Sequence, residues 1–127
     1  MLVPVADDES RFYWDGLRRG RLLVQRCSGC DRHRFPPMPA CPFCGAVDAG
    51  VVDVRPSGTV YSWVVVHRPF SGAFADDVPY VVATIELGAG CRILARVDDA
   101  PAMSAGLPVE GSFVDHDGWT ELRFRPA

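Results

Sequence analysis

Four of the five cysteines stand in two Cys-x-x-Cys pairs, and these are the side chains best suited to chemistry. The pairs are Cys27 with Cys30 and Cys41 with Cys44, and ten residues separate them. Four thiolates at this spacing match a tetrahedral site closed by four sulfurs, which is typical of structural zinc. Such a site keeps no open coordination position, so we expect the zinc ion to stabilise the fold rather than to catalyse a reaction.

Redox catalysis and another metal are the alternatives for the same thiols. A redox Cys-x-x-Cys pair usually opens a helix, whereas the segment between these pairs, "DRHRFPPMPA", contains prolines that exclude one. The segment "CPFCG" also resembles a rubredoxin knuckle, which makes iron the competing metal. The fifth cysteine, Cys91, lies in the apolar segment "GAGCRILARV" and is interpreted as a small buried side chain.

Composition narrows the class of protein. The chain has 127 residues and a net charge of −3, and its positive side chains are 13 arginines without a lysine. This acidic balance argues against broad electrostatic binding to nucleic acid. No apolar run approaches the roughly 20 residues of a membrane span, and the start "MLVPVADDESRFYW" lacks the basic region of a secretory signal. We therefore expect a cytoplasmic protein, where thiols stay reduced.

Two elements would position the first cysteine pair. The segment "ESRFYWDGLRR" (9–19) predicts a short helix with Tyr13, Trp14 and Leu17 on one face. A helix of about ten residues is marginal alone, so this aromatic face must pack on the chain's own ribbon or on a partner. The segment "RLLVQRC" (21–27) predicts a strand that leads into the metal loop.

The sequence beyond the cysteines is rich in β-branched residues and turn signals. Turns at Pro56-Ser57-Gly58, at Gly88-Ala89-Gly90 and at Asp117-Gly118 divide about five strands, which is typical of a small closed barrel of the oligonucleotide/oligosaccharide-binding (OB) type. The predicted fold is therefore mainly β. Its predicted parts are an N-terminal helical segment (1–20), a rubredoxin-like four-cysteine zinc ribbon (21–50) and an OB-fold barrel (51–127).

The loop "HRPFSGAFADDVPY" (67–80) is long for a hairpin connection and carries Phe70, Phe74 and Tyr80. Long ordered loops on rigid barrels often carry function. Aromatic side chains in such a loop can anchor a partner protein or line an apolar channel.

Basic residues at two strand ends are candidate ligand contacts. His67 and Arg68 end one predicted strand, while Arg123 and Arg125 lie two residues apart on the same side of another. Two such arginines can bind a phosphate group through charge-assisted hydrogen bonds. Paired carboxylates, a phosphate-binding glycine loop and a Ser/His/Asp set are not recognisable, so no catalytic residue is predicted.

Several segments together resemble a known family. They are "FYWDGLRRGRLLVQRCSGCDRHRFPPMPACPFCG", "SGTVYSWVVVHRP", "PYVVATIEL", "GCRILARV", "GLPVEGSF" and "FRPA". In order and spacing they resemble the zinc-ribbon/OB-fold proteins first classed as a domain of unknown function. Members of that family accompany thiolase-superfamily enzymes or enoyl-CoA hydratases, including the steroid side-chain-degrading complexes in which the domain supports a thiolase-like retro-aldol lyase. Archaeal members bridge two CoA enzymes.

The resemblance implies a non-catalytic accessory subunit in a hetero-oligomer with a thiolase-like or hydratase-like acyl-CoA enzyme of lipid metabolism. It implies that the four cysteines bind zinc. With a CoA thioester as the ligand, the basic residues identified above, His67, Arg68, Arg123 and Arg125, are its expected contacts. Partner contacts are then expected from the helix and the long loop: Phe12, Tyr13, Trp14, Phe70, Phe74 and Tyr80.

One position departs from the family pattern, because Asp31 occupies a place where glycine is common after the first cysteine pair. Two other functions remain open from the residues themselves. A nucleic-acid-binding module would stack bases on strand aromatics such as Tyr61 and Trp63. A rubredoxin-like electron carrier would hold iron in the four-cysteine site.

Overall fold

The computed structural model describes residues 3–100 and 102–127, and in them it has one α-helix and eight strands. The helix α1 spans Arg11–Arg18, within the predicted segment 9–19. The strands are β1 (Leu22–Cys27), β2 (His33–Arg34), β3 (Ala49–Val54), β4 (Ser57–Val66), β5 (Tyr80–Leu87), β6 (Arg92–Val97), β7 (Pro108–His116) and β8 (Trp119–Pro126). The predicted mainly β class is confirmed. No helix in this described part is long and apolar enough to cross a membrane.

The ribbon is a three-stranded antiparallel sheet in the order β2-β1-β3. Alternation along β1 buries Leu22 and Val24, which anchor the sheet at the end remote from the cysteines. Strand β3 pairs with β1 from Ala49 to Val54. The boundary predicted at residues 50 and 51 therefore lies within β3, because the "VVDV" run belongs to the ribbon sheet.

Strands β4 to β8 close a barrel in the order β4-β5-β6-β8-β7, which is the predicted five-stranded OB barrel. The ladders are antiparallel except where β6 meets β8 in parallel at Val97 and Phe124. Inward-facing side chains fill the barrel, and the largest of these, Phe124, Ile85 and Ile93, are almost wholly buried. This apolar core holds the barrel without a metal.

Helix α1 joins the ribbon to the barrel. Leu17 belongs to one hydrophobic cluster with Leu22 of β1 and with the barrel interior. The Tyr13 ring lies 5.2 Å from Phe35 of the ribbon, and the Trp14 ring lies 6.1 Å from Trp119 of the barrel, measured between centroids. The aromatic face of α1 therefore packs within the chain and not on a partner, because Tyr13 contacts the ribbon and Trp14 contacts the barrel.

Gly16 lies inside α1, although glycine is unfavourable in a helix interior, and its contacts with β1 indicate why a small residue suits this position. A Cβ atom built at Gly16 would lie 2.8 Å from Cδ1 of Leu23, closer than real Cβ contacts come. A larger residue at this position would displace the Leu23 side chain and crowd the backbone oxygen of Arg21, which would lie 3.2 Å from the added Cβ. The cost in helix propensity accompanies the tight packing that buries Leu17.

Candidate functional site

The four predicted metal ligands converge at the tip of the ribbon. Their Sγ atoms all lie within 4.8 Å of one another. The Cys27–Cys44 separation is 3.6 Å and the Cys30–Cys41 separation is 3.7 Å. Four sulfurs about 2.3 Å from a tetrahedral zinc ion are about 3.8 Å apart. The donor set therefore fits a structural zinc ion closed off by four thiolates.

Each cysteine pair forms a tight turn whose backbone N–H groups serve the sulfurs. The amide of Gly29 donates to Cys27 Sγ at 3.3 Å, and the amide of Phe43 donates to Cys41 Sγ at 3.4 Å. The first turn ends at Asp31, with φ of 64°, and the second ends at Gly45, with φ of 80°. Asp31 thus adopts the left-handed conformation that glycine favours, as the family pattern indicated.

These turns also favour the ionised cysteines that zinc requires. Backbone N–H groups of Cys30 and Gly29 lower the pKa of Cys27 by more than burial raises it. Burial alone would raise the pKa of Cys41, but the N–H groups of Cys44 and Phe43 and the neighbouring thiols lower it to about 6. The backbone N–H of Arg32 acts to lower the pKa of Cys30, but burial and the neighbouring thiols raise it to about 11. Without a metal ion, the turns thus favour ionisation of Cys27 and Cys41 but not of Cys30.

The predicted ligand contacts do not form one cluster. His67 and Arg68 are exposed at the end of β4, and Arg125 is exposed on β8. Arg123 is half-buried and forms ion pairs with Asp98 at 3.6 Å and Glu121 at 3.0 Å. No hydrogen bond or ion pair joins His67 or Arg68 to either of the other two, so their role in CoA binding stays a prediction.

The predicted partner contacts divide in the same way. Phe70 is 84% exposed, whereas Phe74 and Tyr80 pack on each other with ring centroids 6.2 Å apart. Phe12 is half-buried on α1, while its neighbours Tyr13 and Trp14 pack within the chain. Phe70 therefore remains the most accessible of the predicted aromatic anchors.

An apolar surface that the sequence analysis did not assign to a partner lies on β4. Residues 61–65, here called the β4 arm, are all exposed, and the exposed fractions are 52% for Tyr61, 38% for Trp63, 60% for Val64 and 44% for Val65. Because neighbouring side chains of a strand point to opposite faces, both faces of the arm are open. The uninterrupted "WVVV" run is typical of a strand covered on both faces, whereas residues 61–65 are exposed in this chain.

The β4 arm also has an open edge. Beyond Val60 it pairs with β5 on one side, up to Val66 opposite Tyr80. On its other side, β7 pairs only with Ser57 to Thr59, so no described strand covers the arm. An apolar edge strand with unpaired backbone groups is a template for contact with another chain.

A second unassigned feature is a cleft of about 200 Å³ on the outer wall of the barrel, here called the wall cleft. Phe74 and Asp77 of the long loop, Arg96 of β6, and Trp119 and Arg123 of β8 line it. These residues are far apart in the sequence, and only strand order brings β6 beside β8. Sequence patterns alone therefore carried no signal for this site.

Two family models match the two parts of the chain. Residues 14–48 match the rubredoxin-like zinc ribbon domain of ChsH2, and residues 51–114 match the C-terminal OB-fold domain of ChsH2. Together with the geometry of the four sulfurs, the ribbon match identifies a structural zinc site.

Relatives carry hydratase and scaffold names. The chain is 38% identical over 127 residues to a probable enoyl-CoA hydratase alpha subunit of Thermomonospora curvata, covering 98% of this chain and 39% of the relative. It is 33% identical to the 3-oxo-4,17-pregnadiene-20-carboxyl-CoA hydratase alpha subunit of Mycobacterium tuberculosis, covering 99% of this chain and 40% of the relative. The chain thus spans about two fifths of both hydratase subunits. A DUF35 domain-containing scaffold protein of Methanocaldococcus jannaschii is 32% identical, with 76% of this chain and 72% of the relative covered.

Solved structures agree with these matches. A chain of the structure titled "Ltp2-ChsH2(DUF35) aldolase" superposes with a TM-score of 0.84 and 36% identity, covering 98% of both chains. A DUF35 protein of unknown function from Sulfolobus solfataricus shares the fold, with a TM-score of 0.66 at 14% identity, over 96% of this chain and 87% of the other. The chain therefore belongs to the DUF35 family and has the ChsH2 arrangement of a zinc ribbon followed by an OB-fold domain.

Proposed function

We propose that this chain is a non-catalytic accessory subunit that docks on a thiolase-superfamily acyl-CoA enzyme of the retro-aldolase or ketothiolase type and helps to position the CoA thioester. The names of its relatives support an acyl-CoA enzyme as the partner, because they include an aldolase complex and two hydratase subunits. The pregnadiene-carboxyl-CoA name of one relative makes a steroid side-chain thioester the proposed substrate class.

The β4 arm is the observation that carries the docking proposal. Burying a large apolar side chain contributes about 1.5–3 kcal/mol, and this arm leaves four such side chains in water. An exposed apolar edge strand promotes aggregation unless a partner covers it. Phe70 extends the apolar surface beyond the end of β4. A permanent partner subunit explains why such a strand is tolerated.

The other features are consistent with an accessory role. The four thiolates leave the zinc ion no open position for a substrate, so the ion holds the ribbon in shape. The exposed His67 and Arg68 next to the arm, and the exposed Arg125 on β8, are proposed contacts for CoA phosphates. Arg123, which is paired with Asp98 and Glu121, is proposed to contact an uncharged part of the CoA thioester. The reduced cysteines suit a cytoplasmic location. The nucleic-acid alternative lacks comparable support, because the relatives carry acyl-CoA enzyme and scaffold names.

Co-purification of the chain with a thiolase-like enzyme from the same genome tests this proposal. Val64→Asp places a charge at the centre of the arm and is expected to weaken the complex at least tenfold. Val47→Asp is the matched control, because Val47 is 70% exposed but lies on the ribbon. Equal binding by both variants at unchanged melting temperature contradicts docking through the arm. Turnover of a CoA thioester by the isolated chain contradicts the accessory role.

A further inference from the structure

Unpartnered N–H donors are concentrated at the wall cleft. In the described part of the chain, four buried side-chain nitrogens lack a hydrogen-bond partner, and three of them belong to residues lining this cleft. They are Nε of Arg96, Nε1 of Trp119 and Nε of Arg123. All three atoms can only donate. A buried donor without an acceptor costs about 1–3 kcal/mol, so the concentration of such donors here makes the cleft a candidate binding site.

The carboxylates at the cleft are already engaged with other atoms. Asp77 accepts a hydrogen bond from Nη1 of Arg96 at 3.1 Å, and Asp98 lies 3.6 Å from Nη1 of Arg123. Glu121 shares a 2.8 Å hydrogen bond with Nε2 of His116. Its 3.0 Å contact with Nε of Arg123 is an ion pair without the alignment of a hydrogen bond. Nε of Arg96 and Nε1 of Trp119 therefore have no acceptor from the described chain, whereas Nε of Arg123 has this ion pair.

Charge decides which acceptor suits the cleft. Its two arginines face three carboxylates, Asp77, Asp98 and Glu121, so the cluster has no surplus positive charge. A phosphate or carboxylate would add a negative charge beside the existing carboxylates. An uncharged carbonyl oxygen accepts the same hydrogen bonds without this repulsion.

Aromatic side chains give the cleft apolar walls. Phe74 closes it from the loop, and Trp119 lies at its base, with the His116 ring stacked on the indole at 4.5 Å between centroids. Trp14 of α1 meets the same indole edge to face. Flat apolar walls combined with N–H donors suit a planar amide, which presents an apolar face and a strong carbonyl acceptor.

We propose that the wall cleft is a binding site for an uncharged amide, whose carbonyl oxygen accepts from the N–H groups of Trp119 and Arg96. This inference rests on the proposed function for its two sources of amide: the pantetheine arm of a CoA thioester, or the polypeptide backbone of the partner enzyme. The site is separate from the proposed phosphate contacts at His67, Arg68 and Arg125.

The three tryptophans make a direct test possible. In a ¹⁵N-labelled chain, the three indole N–H groups give three signals, and substitution to phenylalanine assigns each one. Pantetheine is expected to shift the Trp119 signal saturably and to leave the exposed Trp63 signal unmoved. N-acetylglycinamide, a peptide mimic, is expected to shift the Trp119 signal more weakly, while adenosine 3′,5′-bisphosphate and inorganic phosphate leave it in place.

Two variants separate hydrogen bonding from shape. Trp119→Phe keeps an aromatic wall but removes one donor, so pantetheine affinity is expected to fall about three- to tenfold. Arg96→Lys keeps the charge, removes the guanidinium Nε–H and is expected to have a similar effect. Arg55→Lys is the matched control, because Arg55 forms only an exposed ion pair with Glu110, and it is expected to leave pantetheine affinity unchanged.

The outcomes distinguish the sources and can overturn the inference. A Trp119 shift caused by the partner enzyme without CoA assigns the amide to the partner's backbone. A Trp119 shift with phosphate but not with pantetheine overturns the uncharged-amide assignment. A water molecule that stays bound to the Trp119 N–H group when pantetheine is added overturns it as well. Partner co-purification is scored separately, so loss of the docking proposal leaves a positive pantetheine result standing.

Discussion

The ribbon and the barrel occupy one chain but are held together by different forces. Between residues 28 and 48, only Arg34 and Cys41 are buried, which is too little apolar surface to fold that segment by itself. The described part of the barrel region instead contains eleven buried hydrophobic residues: Val60, Val66, Ala83, Ile85, Leu87, Cys91, Ile93, Val97, Val109, Leu122 and Phe124.

This difference separates the two roles of the molecule. The metal fixes a polar loop in a defined shape, whereas hydrophobic burial builds a wall rigid enough to carry the wall cleft and the β4 arm. Leu17, Leu22 and Val24 connect the two parts through one hydrophobic cluster. The end of the ribbon that carries Leu22 and Val24 is therefore stabilised by the same apolar core as the barrel. Only the segment 28–48 depends on zinc.

Removing the zinc ion is expected to have the largest effect, because it should unfold the tip of the ribbon and leave the barrel folded. Binding of structural zinc contributes on the order of 10–16 kcal/mol in small modules, so a chelator should unfold residues 28–48 while β4 to β8 stay folded. Cys41→Ser should act in the same direction. Amide hydrogen exchange with and without chelator measures this. Unchanged protection of residues 28–48 in metal-free protein would contradict it.

Truncating a side chain in the barrel core should destabilise the barrel and leave zinc binding by the ribbon unchanged. Ile85→Ala removes a fully buried side chain and is expected to lower the free energy of unfolding of the barrel by about 2–5 kcal/mol. Denaturant titration followed by Trp fluorescence measures the loss. Zinc content should stay at one ion per chain, and Val51→Ala at an exposed ribbon position serves as the control. A loss of zinc before barrel unfolding would mean that the core also holds the tip.

A buried polar clamp allows an intermediate test. Gln25 Oε1 accepts from Nε of Arg34 at 3.1 Å and from the backbone N–H of Met38 at 2.9 Å. Gln25→Leu leaves both donors unpaired, which costs about 1–3 kcal/mol. The chelator concentration that releases half of the zinc should fall, while the barrel unfolds at its original denaturant midpoint. A shifted barrel midpoint would show that the clamp serves both parts.

The two cysteine turns provide the smallest effects. Asp31→Gly removes a side chain from a left-handed residue and is expected to stabilise the zinc-bound ribbon by about 1 kcal/mol. The 3.5 Å ion pair between Asp31 and Arg26 is exposed, so its loss costs little. Gly45→Ala should destabilise the ribbon by a similar amount. Chelator titration should show that zinc is held more tightly in Asp31→Gly and less tightly in Gly45→Ala. A change in the same direction for both variants would contradict the role given to the positive φ angles.

The local features of this chain were predictable, because short-range sequence patterns encode them. The metal ligands follow from the spacing of four cysteines, and β5 and β6 follow from the apolar runs on either side of Gly88 to Gly90. The pairing of β3 with β1 was not predictable from local patterns, since it joins residues 22 to 32 positions apart: Cys27 opposite Ala49 and Leu22 opposite Val54.

The candidate binding features were less predictable, because they depend on contacts between residues far apart in the sequence. Arg123 was identified as a ligand contact from its neighbour Arg125, but its actual surroundings are Arg96, Trp119 and Phe74. The exposure of Val64 on a strand of strong β propensity was also unpredictable, because it depends on how far β7 extends beside β4.

By itself the amino-acid sequence determined the zinc site, the succession of strands along the chain and the family, because each rests on residue types at short and regular spacings. Tertiary structure alone decided which strand edge stays uncovered and which distant donors meet on the barrel wall. Those outcomes depend on barrel closure, which sets strand neighbours independently of their distance along the chain.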